Sequence, residues 1–171
     1  MKLLLVPLLL VLTVSGFLCG CNAPPNDEVL IKNFVDRKPV YEHLRDMLLA
    51  DDRVLLVANW GIETPGSALA IQPPVAELSL DRYHQYLALL QEIGGKVVAR
   101  SADGLPEACI YVWTDGFAGE TRHEAVCWLA KPPVGQVARL NEIEARSAQA
   151  NGKRATVYRH VERNWYLQRD E

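Results

Sequence analysis

Four cysteines and four histidines are the residues of this sequence best suited to nucleophilic, redox or metal chemistry. The histidines are His43, His84, His123 and His160, and no two stand at the close spacing of a helical metal site. No Gly-x-Ser-x-Gly elbow, phosphate-binding glycine loop or dinucleotide fingerprint occurs. The sequence therefore predicts no catalytic residue set, no metal site and no cofactor. It places each histidine at the surface or at the edge of the core.

Residues 114–122 combine glycines with carboxylates, and we interpret them as a loop between two strands. Their spacing is not that of a calcium loop, and a plain hairpin connection is the simplest reading. One hypothesis makes this loop a partner-binding tip, with Phe117 as apolar anchor and a polar rim. Another makes it the pocket of a hydrolase or small-ligand binder, in which the side chains of Asp115, Glu120 and His123 converge. The candidate residues are Asp115, Phe117, Glu120, Arg122 and His123.

The four tryptophans divide into two pairs by position. Trp113 and Trp128 stand in strand-like segments, where tryptophan usually packs in a core or on a sheet face. Trp60 and Trp165 lie near segment ends, so they are candidates for exposed contacts.

Cys109 and Cys127 stand in two strand-like segments on either side of the 114–122 loop. A hairpin with its turn near Ala118 would set the two cysteines opposite each other, and a disulfide would close the loop. A redox or nucleophilic thiol and a pair of buried free thiols are the alternatives. No Cys-x-x-Cys spacing supports the redox alternative.

The N-terminus is apolar in a way that the rest of the chain is not. After Lys2, no charged residue occurs as far as Cys21. A short positive start, an apolar stretch and a looser end with Ser15 and Gly16 are the layout of a secretory signal peptide over residues 1–20. A membrane-spanning helix is the competing reading, but the stretch is marginal in length and no positive cluster follows it.

The sequence Leu18-Cys19-Gly20-Cys21 at the end of this segment resembles the lipobox of bacterial lipoproteins. The resemblance implies that Cys21 becomes the first mature residue and carries a thioether-linked diacylglycerol and an N-acyl chain. More than one chain is needed for firm attachment to a membrane. Residues 21–26 would then be a lipidated tether, stiffened by Pro24 and Pro25.

The resemblance also implies a location. Asn22 is not the aspartate that retains enteric lipoproteins in the inner membrane, so we expect the periplasmic face of the outer membrane, with the inner membrane as the alternative. The lipid gives the chain a membrane as its first partner. An envelope protein is the expected second partner. A formal net charge of -3 argues against nucleic acid.

The remaining residues, 27–171, predict one globular domain, because 49% of the chain is hydrophobic and no second boundary appears. Helices over 27–50, with a break at Pro39, and after Ser79 up to Gly94–Gly95 precede strand-like segments joined by hairpins. This order predicts an α+β fold with helices on one face of a mostly antiparallel sheet. Further segments are a strand at 53–58, a long loop at 59–78, a strand at 96–100, a turn at 102–106, a helix at 136–151 and a hairpin of 154–161 with 164–168.

The helix start Ser79 to Tyr83, the strand pair and Asn164 to Leu167 together are similar to small envelope proteins of proteobacteria. That resemblance implies no activity. Our leading hypothesis is a non-enzymatic, lipid-anchored binding module of the envelope, in one version an inhibitor or immunity-type lipoprotein. A structural lipoprotein is a further alternative.

Overall fold

The computed structural model describes residues 23–67, 70–100, 107–117, 120–149 and 155–170. Several sequence predictions lie outside these residues: the signal peptide over 1–20, the lipidation site Cys21, the turn at 102–106 and the hairpin turn at Ala118. Within the described residues, no helix has the length and apolar character needed to cross a membrane.

The first helical segment is two helices, α1 (Asp27–Asp36) and α2 (Lys38–Ala50). Asn26 caps α1 by accepting a hydrogen bond from the backbone N–H of Glu28, and Pro39 lies in the first turn of α2. Proline is tolerated there because its missing N–H would have no partner in the helix. The predicted break at Pro39 is confirmed as a new helix start.

Helix α3 (Leu80–Ile93) begins and ends where the sequence predicts. The Ser79 side chain accepts from the backbone N–H of Arg82, and Gly94 adopts the left-handed conformation at φ 69°. Both are preferred capping residues for those positions. The last helical segment is shorter than predicted: a 3-10 turn at Leu140–Glu142 leads into α4 (Ile143–Gln149).

In the described part of the chain, seven strands form one sheet in the order β2-β1-β3-β4-β5-β7-β6, with every neighbouring pair antiparallel. The α+β prediction is confirmed, and so is the terminal hairpin, which is β6 and β7. The strands are β1 (Leu56–Ala58), β2 (Gly61–Glu63), β3 (Val97–Ala99), β4 (Glu107–Phe117), β5 (Glu120–Leu129), β6 (Thr156–Glu162) and β7 (Trp165–Asp170).

Two predicted loops are partly strand. The 59–78 loop contains β2, which pairs with β1 across a tight turn. On its other side, β2 is held by Ile71, whose backbone exchanges two 2.8 Å hydrogen bonds with the backbone of Ile62. Gly61 has φ 134°, and a Cβ there would lie 2.5 Å from the Ile71 carbonyl oxygen, so only glycine fits.

Residues 114–117 and 120–122 continue the β4–β5 ladder, so the predicted 114–122 loop was wrong over most of its length.

The sheet has two different faces because side chains alternate along each strand. Val98, Ile110, Val126 and Leu167 face the helices and join the main core with residues such as Phe34 and Tyr86. A smaller cluster occupies the opposite face, which we call the disulfide face and which carries Cys109, Ala125, Cys127, Leu129 and Tyr166.

Candidate functional site

Cys109 and Cys127 form a disulfide. Cys109 on β4 is the direct cross-strand partner of Cys127 on β5, as the hairpin prediction required. Both are buried, and Gln168 Oε1 lies 3.0 Å from the Cys127 sulfur. The alternatives of a reactive thiol or two free thiols are therefore set aside in favour of a structural bridge.

The predicted binding residues do not share one face of the hairpin. Asp115 and Arg122 are cross-strand partners, and the next pair along is Thr114 with His123. Alternation sets His123 on the disulfide face and the Asp115–Arg122 pair on the other face. Phe117 and Glu120 pair at the end of the ladder, where only their backbone is described. Asp115 and His123 therefore lie on opposite faces of the hairpin and do not converge as the pocket hypothesis requires.

His123 instead contacts Asp170 at the end of β7. Its Nε2 lies 3.3 Å from Asp170 Oδ2, and its ring meets the Tyr111 ring edge-on at 5.2 Å between centroids. Gln168 Nε2 donates to both oxygens of Asp170 at 3.1 and 3.0 Å. Burial alone would raise the pKa of Asp170, but hydrogen bonds from His123, Thr156 and Gln168 outweigh it and leave that pKa below its usual value.

The tyrosines around this pair are shielded from water. Burial, with smaller contributions from the nearby carboxylates of Asp170 and Glu107, raises the pKa of Tyr111 to about 12. The pKa of Tyr158 is raised to about 12 for the same reasons. These phenols stay protonated at neutral pH and pack over the disulfide.

A buried ion pair on the helix face was missed by the sequence analysis. Glu124 on β5 is fully buried and lies directly across from Arg169 on β7. Arg169 donates from Nε and Nη2 to Glu124 Oε1, with a distance of 2.5 Å for Nε. Burial raises the pKa of Glu124, and the Arg169 charge and hydrogen bond oppose that shift. A signal existed in the sequence, since Glu124 is in phase with Val126 and Trp128 along the strand.

Arg169 also borders a cleft of about 420 Å³ at the start of α1. The Asp27 carboxylate organises this region: it accepts from the backbone N–H of Leu140 at 3.0 Å and from Arg159 Nη1 at 2.9 Å. Arg159 Nη2 donates to Glu28 Oε1 at 3.0 Å. The residues lining the cleft are Pro24, Pro25, Asn26, Asp27, Glu28, Arg139, Asn141, Arg159 and Arg169.

Trp60 lies in the turn between β1 and β2 and is 53% exposed. Gln72 Nε2 donates to its carbonyl oxygen at 2.5 Å, and the Ile62–Ile71 bridge holds the hairpin base. Beside it runs a groove of about 630 Å³ between the hairpin turn and the end of α3. The groove is lined by Asn59, Trp60, Leu87, Leu90, Gln91, Gly94, Gly95 and Lys96. Trp60, named from the sequence as a candidate for an exposed contact, is therefore exposed.

The other tryptophans are inside or partly inside the domain. Trp165, named as a candidate for an exposed contact, is not exposed: it is 2% exposed and packs against Phe34 at 5.1 Å between ring centroids. Trp113 is buried, and Trp128 is half-buried beneath the Arg45 guanidinium, as packing positions predict. Trp165 is the first residue of β7 and lies in phase with the core residue Leu167, and its aromatic contacts with α1 and α2 favour burial.

The described residues contain no group of three or more His, Cys, Asp or Glu side chains arranged to hold a metal ion. His43, His84 and His160 are exposed, and His123 is half-buried. No protein-family model matches the sequence, and no curated protein or solved structure shows significant similarity to it.

Proposed function

We propose that the chain is a lipid-anchored envelope protein that acts as a non-enzymatic interaction module, with inhibition of an envelope enzyme or toxin as its most specific version. Support for the location comes from the lipobox-like segment before Cys21 and from the Cys109–Cys127 disulfide. Disulfides persist in oxidising compartments such as the periplasm and are rare in the cytosol.

The exposed Trp60 side chain is the main support for a binding function. Trp60 is more than half exposed, and a hydrogen bond from Gln72 holds the two-residue turn that carries it. The backbone of this turn therefore loses little conformational entropy when a partner binds. The neighbouring side chains of Leu87 and Leu90 give the groove an apolar wall, and Lys96 and Gln91 give it polar edges. This chemistry suits a protein surface that inserts one apolar side chain beside the indole ring.

The anchor is tested by the Cys21→Ala variant. Without the thiol no thioether can form, so the variant is expected to accumulate as an unprocessed precursor that takes up no labelled fatty acid. The Cys109→Ala variant is the matched control and should be labelled like the unchanged protein. Labelling of Cys21→Ala at the unchanged level would contradict the proposed attachment site.

The binding surface is tested by Trp60→Ser in crosslinked, detergent-solubilised envelopes. We expect Trp60→Ser to lose at least 90% of the crosslinked partner, because interface tryptophans commonly contribute about 2 kcal/mol or more. Val134→Ser is the control, since Val134 is 95% exposed and far from the groove residues in sequence. Equal crosslinking by the two variants, or none with the unchanged protein, would favour a structural lipoprotein.

A further inference from the structure

We propose that the arginine-bordered cleft at the start of α1 binds a phosphate group, either in a phospholipid headgroup or as a free phosphate ion. Three guanidinium groups border this cleft, those of Arg139, Arg159 and Arg169. The carboxylates of Asp27 and Glu28 also line it, and that of Glu124 pairs with Arg169. Arginine presents planar N–H donors that match the oxygens of phosphate.

Arg159 offsets part of the charge of the two carboxylates. Its Nη1 donates to Asp27 and its Nη2 to Glu28, at 2.9 and 3.0 Å. Both acidic side chains are thereby held against a guanidinium. Their repulsion of an anion in the cleft is reduced, which leaves the Arg139 charge and the N–H groups of Arg169 that do not contact Glu124 to act on a ligand.

Arg169 gives the cleft a donor that is already fixed in place. The residue is nine-tenths buried, and its contacts with Glu124 use Nε and Nη2. A guanidinium has five N–H donors on three nitrogens, so N–H groups of the same side chain remain for a ligand at the cleft wall. A buried arginine locked by a carboxylate loses little freedom when it binds an anion.

Arg139 supplies a second positive charge at the cleft, from a different segment of the chain. Its side chain is exposed, and it precedes the 3-10 turn that begins at Leu140. The backbone N–H of Arg139 donates to Glu142 at 3.0 Å, and that of Leu140 donates to Asp27 at 3.0 Å. These two contacts fix the backbone from which the Arg139 side chain extends at the cleft.

The position of the cleft favours the lipid headgroup over free phosphate as the source. Pro24, Pro25 and Asn26 line it, and they follow Cys21 within five residues. A stiff tether advances about 3.1 Å per residue, which keeps the cleft within about 20 Å of the bilayer surface. This preference, though not the phosphate site itself, rests on the proposed lipid anchor.

The test is calorimetric titration of the purified full chain in a nonionic detergent. Glycerophosphoglycerol, a soluble headgroup, and inorganic phosphate are the two probes, and sodium acetate is the carboxylate comparison. We expect glycerophosphoglycerol to bind more tightly than acetate and phosphate. Stronger binding of inorganic phosphate would support the site with free phosphate as its source.

Arg139→Ala is expected to weaken phosphate-probe binding about tenfold, as the loss of one charge-assisted contact requires. Arg53→Ala is the matched control, because Arg53 is exposed and does not line the cleft. Binding that is undetectable, equal for acetate, or unchanged in Arg139→Ala would overturn the proposal. The titration is repeated in the Cys21→Ala chain, where retained binding separates the phosphate site from the lipid anchor.

Discussion

Replacing Glu124 by alanine is expected to lower the free energy of unfolding by about 3–5 kcal/mol, the range typical of breaking a buried ion pair. Glu124 is fully buried and Arg169 is 9% exposed, so the variant leaves a guanidinium inside the domain without its counter-charge. Two nitrogens of Arg169 also lose their acceptor, Glu124 Oε1. Urea unfolding of the purified protein, followed by circular dichroism, measures the change.

The matched controls separate this loss of pairing from a general effect of mutation. The double variant Glu124→Leu with Arg169→Met removes both charges and is expected to be more stable than Glu124→Ala. Asp36→Ala breaks the exposed Lys32–Asp36 pair and should cost under about 1 kcal/mol. The prediction is contradicted if Glu124→Ala has nearly the same free energy of unfolding as the unchanged protein. In that case Arg169 is hydrated through the cleft, and the ion pair does not stabilise the fold.

Removal of the disulfide has the second large expected effect. Cys109 and Cys127 are 18 residues apart, and in the chain-entropy model a loop of that length contributes about 3 kcal/mol. The Cys109→Ala/Cys127→Ala double variant should therefore unfold at a lower urea concentration than the unchanged protein. The oxidised protein should also weigh about 2 Da less than its reduced form, because a disulfide lacks two hydrogens.

The reductant provides the control for this prediction. Dithiothreitol should destabilise the unchanged protein by a similar amount and leave the double variant unaffected, since only the former has a bond to reduce. Alkylation of both thiols in the unreduced, folded protein would contradict the bridge.

Local signals in the sequence were enough to predict much of the fold. Ser79 and Gly94 mark the ends of α3 because capping depends on side-chain hydrogen bonds and on the left-handed conformation of glycine. Pro39 marks the start of α2 by the same kind of local rule. The pairing of Cys109 with Cys127 followed from hairpin geometry once both segments were recognised as strands.

Predictions failed where distant contacts decide the structure. Gly61–Glu63 has a composition typical of loops, but β1 and Ile71 provide hydrogen-bond partners on both sides. Residues 114–117 extend β4 despite Gly116, because β5 continues beside them. Trp165 is buried by aromatic partners from α1 and α2 that are more than a hundred residues away in sequence.

The candidate sites were harder to predict than the fold. Trp60 was a candidate for an exposed contact, but the groove beside it depends on how the β1–β2 turn meets the end of α3. The arginine-bordered cleft joins α1, the 3-10 turn, β6 and β7. Charged residues from four segments give no recognisable spacing in the sequence, so only the folded arrangement reveals them.

The mass of the N-terminal peptide of protein isolated from the cell envelope shows whether the chain is cleaved and lipidated at Cys21. We expect a peptide that begins at Cys21, lacks residues 1–20 and carries the added mass of a diacylglycerol and an acyl chain. A soluble intracellular protein whose first peptide begins at Met1 and bears no lipid would contradict this expectation.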